Sequence, residues 1–207
     1  MSGATVACAK LSVSRRGEWI VRDRDVRVSL LRHLHHEHQE PGTLFVDELD
    51  LGGLVRVDVA AINGSLWGYE IKSARDTLRR LPLQVEVYSR VLDHAALVVA
   101  DRHHEHALDL LPDWWQIYVA TATPDGVELM LERPGGQNPD VDPMQLAQLL
   151  WRDEALAELA ERGLDRGVRS KPRRAVWQRL AESLDLPELQ RCVRQRLKTR
   201  VGWRVGR

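Results

Sequence analysis

Asp58, Glu70 and Lys72 stand within VDVAAINGSLWGYEIKS, residues 57–73, a stretch that is otherwise mostly apolar and carries the turn signal Asn63-Gly64-Ser65. Its apolar residues recur with period two, which predicts two antiparallel strands whose successive side chains take opposite faces. On the first strand Val55, Val57, Val59 and Ala61 share a face, and Arg56, Asp58, Ala60 and Ile62 share the other. On the second, Trp67, Tyr69 and Ile71 oppose Leu66, Gly68, Glu70 and Lys72. For both apolar faces to meet one core, Asp58 must lie on the side of Glu70 and Lys72. A two-residue Asn63-Gly64 loop would pair Asp58 with Tyr69 instead, because a one-residue slip inverts the whole pattern. The pattern therefore predicts a three-residue Asn63-Gly64-Ser65 loop, or a bulge further along, that sets Asp58 opposite Glu70.

Two adjacent carboxylates repel each other, raise each other's pKa, and are tolerated when a divalent cation sits between them. Lys72 projects from the same face as Glu70, so the set suits metal-assisted phosphodiester hydrolysis. The carboxylates hold Mg²⁺ or Mn²⁺, the backbone carbonyl of Ile71 offers another oxygen ligand, and the ammonium positions water or neutralises the phosphate. A cross-strand salt bridge from Asp58 or Glu70 to Lys72 or Arg56 on a solvated face would use the same residues. Glu48, on the preceding strand, is either a third metal-ligating acid or an exposed edge charge beside Asp47 and Asp50. Gln84 and Tyr88 stand four residues apart, in line with Leu81, Val91 and Leu92. An amide in that apolar stripe needs a partner, either a metal-bound water or phosphate or a nearby backbone group.

The elements that would position these residues are legible from the change of hydrophobic period. A helix is expected over about residues 24–38, with Asp23 or Asp25 as its N-cap. TLFVDELDL, LVRVDVAAI and LWGYEIKS then read as three strands in antiparallel meander. A helix from about 76 to 93 contains Pro82, as a kink or as its true first turn. AALVVA reads as a buried strand, followed by a short helix around His103–Leu110 and the strands WQIYVAT and VELMLER across a TPDG turn. The loop PGGQNPDVDP separates an expected core domain, residues 1–142, from a helical segment, residues 143–207, with helices over Met144–Arg162, Pro172–Leu184 and Pro187–Arg200.

With these residues in place, Asp58, Glu70 and Lys72, followed by Gln84 and Tyr88, resemble the D…ExK and QxxxY motifs of the PD-(D/E)XK nuclease superfamily. The longer stretch from Asp47 to Val99, together with LPDWWQIYVA and the tail, also resembles a small bacterial family named after a single open reading frame. The first resemblance implies an α/β (α+β) fold with a restriction-endonuclease-like αβββαβ core and a mixed sheet. It also implies Mg²⁺-dependent cleavage of DNA. Val57 stands where the motif's proline would be, which removes no metal ligand.

Charge adds a second expectation. Residues 145–207 hold 15 Lys and Arg against 8 Asp and Glu, so the tail is +7 and the remainder −7 within a formal net charge of zero. A basic tail beside an acidic body suits a nucleic-acid contact through Lys171, Arg173, Arg174, Arg194 and Lys198, and equally suits solvated helix faces. With 43% hydrophobic and 29% charged residues, no apolar run long enough for a bilayer and no signal-peptide zones at the start, a cytoplasmic globular protein is expected. Cys8 and Cys192 read as free buried thiols. The two HHEH runs, at 35–38 and 103–106, lack zinc-protease spacing and read as solvated helix ends. Trp114-Trp115 reads as a core plug. A non-catalytic nucleic-acid-binding or regulatory module of a phage or mobile-element system, acting with itself as a homodimer or with another protein, remains the alternative to a nuclease.

Overall fold

The computed structural model describes residues 22–200 and two short paired strands, β1 (Ser12–Val13) and β2 (Trp19–Ile20). From Asp23 the order is α1 (Asp23–Glu37), β3 (Leu44–Leu51), β4 (Val55–Ile62), β5 (Leu66–Lys72), α2 (Leu81–Ser89), β6 (His94–Ala100), α3 (His104–Leu108), β7 (Gln116–Thr123) and β8 (Gly126–Arg133). Four helices complete it: α4 (Pro143–Ala147), α5 (Arg152–Glu161), α6 (Arg173–Ser183) and α7 (Leu186–Thr199). The expected αβββαβ order is present. The six strands β3 to β8 lie in sequence order, parallel at β5–β6 and β6–β7 and antiparallel elsewhere, so the sheet is mixed.

The sheet is covered on both faces, which corrects the assumption of a single core. Val26, Leu30 and Leu34 of α1 pack on Val59, Ala61, Tyr69 and Ile71. On the opposite face α2 and the C-terminal helices bury one continuous cluster that runs from Val57, Ala60 and Ile62 through Leu81 and Tyr88 to Leu146, Leu180 and Val193. Each Val, Leu or Ile among them contributes roughly 1.5–3 kcal/mol when fully buried. The buried Asp93 ties the tail to the sheet, accepting from Leu66 N (2.7 Å), Gln190 Nε2 (2.6 Å) and Arg194 Nη1 (2.8 Å). Trp115 is fully buried, and its ring stacks on Tyr88 at 5.5 Å between centroids.

Several local expectations shift. Arg22, not an aspartate, occupies the N-cap of α1. Pro82 lies in the first turn of α2, after a 3₁₀ turn at Leu78–Arg80, where its missing N–H costs no helical bond. The helix expected over Met144–Arg162 is two, α4 and α5. His38 is buried rather than solvated, bonded to Tyr69 Oη at 2.7 Å. Cys192 is buried and burial pushes its thiol up to about 12, so it stays protonated, whereas Cys8 lies outside the described residues. No described helix is long and apolar enough to cross a membrane.

Candidate active site

The β4–β5 register pairs Ile62 with Leu66 and Val59 with Tyr69. Asn63-Gly64-Ser65 is therefore a three-residue loop, as the alternation of side chains demands, and one more step of that register brings Asp58 level with Glu70. The ladder's recorded pairs stop at Val59 and Tyr69, where the Asp58 carboxylate takes over. Its Oδ2 accepts the Ile71 N–H at 2.8 Å. A side chain thus replaces a strand carbonyl, and the two strands open into a cleft of about 600 Å³ that Asp58, Glu70, Ile71, Lys72 and Gln84 all line.

The outer side of the opening is shaped by a fault in the meander. Val46, Leu49 and Leu51 of β3 all face the α2 core, as do Val57, Ala60 and Ile62 of β4, so both strands reverse their side-chain phase at the level of Glu48 and Asp58. Glu48 sits there at φ 52°, and the Glu48–Asp58 pair is missing from a ladder that runs from Leu44–Ile62 to Leu51–Val55. A left-handed glutamate in a strand costs on the order of 1–3 kcal/mol and persists only where its surroundings impose it. The Asp58 carbonyl at this level accepts from Arg27 Nη1 at 2.7 Å, and Arg27 Nη2 reaches Asp58 Oδ1 at 3.4 Å. Arg27 was not legible as a site residue, since nothing in its helical spacing points to the meander.

Glu70 and Lys72 alternate with Tyr69 and Ile71, so they face α2 and not α1. Their charges are buried within a closed set of hydrogen bonds. Glu70 Oε1 accepts from Lys72 Nζ (2.5 Å) and Gln84 Nε2 (2.6 Å), and Glu70 Oε2 accepts from Tyr88 Oη (2.6 Å). Lys72 Nζ also donates to Gln84 Oε1 at 2.9 Å. The partner of the buried Gln84 amide is therefore Glu70 and Lys72 together, four residues before Tyr88 on the same helix face. Burial, then the Glu70 charge, push the Asp58 carboxyl up to about 6, against the Ile71 N–H and Arg27, which pull it down. Burial and Glu70 also hold the Tyr88 hydroxyl well above its ordinary value, so it remains a donor.

Glu48 does not join this set. It lines the cleft's rim, is exposed and pairs with Arg56 at 3.5 Å. Among the described residues no three His, Cys, Asp or Glu side chains gather where a metal ion would be held. Two carboxylates suffice for Mg²⁺, which keeps several of its waters. A carboxylate has about four lone-pair sites. Glu70 uses three of them, leaving one on Oε2, and Asp58 has spare capacity on both oxygens, so Asp58 and Glu70 fit a hydrated divalent ion.

The tail cations divide. Arg194 is held by Asp93 at 2.8 Å and largely buried, so it is not a free phosphate contact. Arg196 is bound by Glu158 and Glu161, Arg162 by Glu158 and Glu188, and Arg200 by Glu154. The last three pair with acids of the tail itself, so of its formal excess it is Arg194 that an acid of the sheet domain engages. Lys171, Arg173 and Arg174 are exposed before and at the start of α6, with Arg173 over the Trp177 ring at 5.3 Å, and Lys198 Nζ lies over Gly42. None of these lines the cleft. Arg80 does, and it and its exposed neighbours Arg75 and Arg79 form no ion pair with another described residue. In the sequence they stand directly after the Lys72 strand, a sparser basic cluster than the tail.

Fold and site together define an α+β protein with a mixed six-stranded sheet and an acidic cleft at the opening between its second and third meander strands. The chain belongs to the family described as Bacteriophage P4 protein cII, which matches residues 19–204. Protein cII of Enterobacteria phage P4 is 27% identical over 84 residues, 40% of this chain, and the chain spans about a third (32%) of that relative's length. A solved structure, the SPO1766 protein of unknown function from Silicibacter pomeroyi, is 20% identical, with a TM-score of 0.42 over 70% of this chain and 94% of that one.

Proposed function

We propose that this cII-family protein is a nuclease of the PD-(D/E)XK type, hydrolysing phosphodiester bonds of DNA with Mg²⁺ or Mn²⁺ held by Asp58 and Glu70. The observation that carries the reading is the meeting of Asp58, Glu70, Lys72, Gln84 and Tyr88 in one cleft or its wall, on the strand, strand and helix that the resemblance implies. A bound divalent ion supplies a water of lowered pKa and stabilises charge at the phosphorus. The chain's own groups do the rest. Gln84 and Tyr88 fix the Glu70 carboxylate, Ile71 N–H and Arg27 fix Asp58, and the Lys72 ammonium presents its remaining proton toward an attacking water or a phosphate oxygen.

A second reading keeps the fold and drops the chemistry: a nucleic-acid-binding or regulatory module of a phage system. Two observations favour it, the family match and the engagement of both Glu70 oxygens by Lys72, Gln84 and Tyr88. The two readings separate when purified protein is incubated with linear, circular, single-stranded and branched DNA, with Mg²⁺ or Mn²⁺ and with EDTA. Ion-dependent cleavage that disappears in Asp58→Asn supports the nuclease. Salt-sensitive binding without turnover supports the module.

A further inference from the structure

The cleft grades steeply from a recessed floor to a mouth that carries exposed leucines and charges of both signs. Glu70 and Lys72 are 2% and 3% exposed, whereas Leu54 and Leu83, which line the same cleft, are 65% and 51% exposed. Leu54 is held there by the turn between β3 and β4, in which Gly52 (φ 68°) and Gly53 (φ 77°) take left-handed backbone and Asp50 Oδ2 accepts the Gly53 N–H at 3.0 Å. Leu83 stands on the exposed side of the first turn of α2. The two leucines supply exposed apolar surface at the mouth.

Charge is distributed unevenly around that mouth. Asp23, Glu48 and Asp50 line the side of α1 and β3, where Arg56 of β4 pairs with Glu48, and Arg80 lines the side of Leu83 and α2 together with Asp76; Arg79, exposed and adjacent to Arg80 in the chain, stands just outside the lining. A duplex presents phosphates on a wide, stiff surface with its bases stacked inside. It would bring a phosphate row against the acidic lip, and its backbone would stop at the mouth above Lys72. A single strand is thinner and can be drawn in. Its phosphates follow the arginine lip, and its unstacked bases have apolar faces to set against Leu54 and Leu83, as apolar side chains do when they separate base steps.

We propose that the mouth of this cleft selects single-stranded DNA, or the frayed strand at a duplex end, with Arg79 and Arg80 as phosphate contacts and Leu54 and Leu83 as base contacts. The substrate class rests on the nucleic-acid reading given above, but binding tests it independently of turnover. The test is fluorescence anisotropy of a labelled oligothymidylate and of a blunt duplex of equal length, in Ca²⁺ and across a salt series, with cleavage in Mg²⁺ followed separately.

The single strand is expected to bind at least about tenfold tighter than the duplex. Each phosphate contact contributes about 0.7 to the slope of log affinity against log salt for a single strand, so Arg79→Ala/Arg80→Ala should flatten that slope by roughly 1.4. Leu54→Ser/Leu83→Ser should weaken single-strand binding severalfold with the slope unchanged. Both pairs are exposed, and unchanged circular dichroism and Tm verify that the variants fold. Equal affinity for duplex, an unaltered slope in the arginine variant, or no binding at low salt would overturn the proposal. Selective single-strand binding without cleavage in Mg²⁺ would leave it standing and reject the nuclease, whereas cleavage of duplex interiors as fast as of single strands would do the reverse.

Discussion

Replacing Asp58 with Asn should stabilise the folded protein at neutral pH. The Asp58 carboxyl is raised from an ordinary value of 3.8 to about 6, first by burial and then by Glu70. At about 1.36 kcal/mol for each pH unit, ionising it in the folded state costs roughly 3 kcal/mol. The sign follows from proton counting. Between pH 4 and 6 the folded chain holds a proton that the unfolded chain has released, so stability falls as pH rises through this window. The group's favourable contribution is complete below pH 4 and gone above 6. The asparagine of the variant carries no charge at any pH, and its amide oxygen can still accept the Ile71 N–H. Urea unfolding of both proteins from pH 4 to 7.5 should show the variant more stable at pH 7.5, by up to about 3 kcal/mol, with the gap narrowing toward pH 4. A less stable variant at pH 7.5, or a gap independent of pH, would refute the claim that Asp58 is an unfavourably buried acid beside Glu70.

Lys72→Ala should destabilise the protein by about 3–5 kcal/mol, because it leaves the Glu70 carboxylate buried without its cation. Lys72→Met with Glu70→Gln, measured by urea unfolding, should recover most of the loss, because it removes both buried charges together. Gly68→Ala should cost about 1–3 kcal/mol by overpacking, since a Cβ there would stand 2.4 Å from Leu92 Cδ1 and 3.1 Å from Val57 Cγ1; the same unfolding experiment checks it. Asp93→Ala should cost at least about 3 kcal/mol by stranding the Arg194 guanidinium, and hydrogen exchange should then show α7 losing protection before the sheet does.

What could be read from the chain follows from which forces act locally. The three-residue loop at Asn63-Gly64-Ser65 was legible because period-two alternation on two adjacent strands leaves one register that keeps the acids together. Gln84 and Tyr88 were legible because a helix places residues four apart on one face. The reversal at Glu48 and Asp58 was not, since strands that flip phase together keep the same partner sums and the same composition. Nor was the second core: Trp67, Tyr69 and Ile71 alternate identically whether α1 or α2 covers them. Counting charges identified a basic tail but could not tell Arg194, closed on Asp93, from Arg174, open to solvent, because ion pairs between distant elements leave no trace in spacing.

The proposed nuclease requires Asp58 and Glu70 to hold a divalent ion beside Lys72. Anomalous diffraction from crystals soaked in Mn²⁺ tests it most directly. A manganese peak should lie within about 2.0–2.3 Å of an oxygen of each carboxylate, in the range of metal–oxygen ligand distances, and should vanish in Asp58→Asn. Crystals that take up Mn²⁺ elsewhere, with Glu70 still closed on Lys72, Gln84 and Tyr88 and no peak between the two acids, would contradict it.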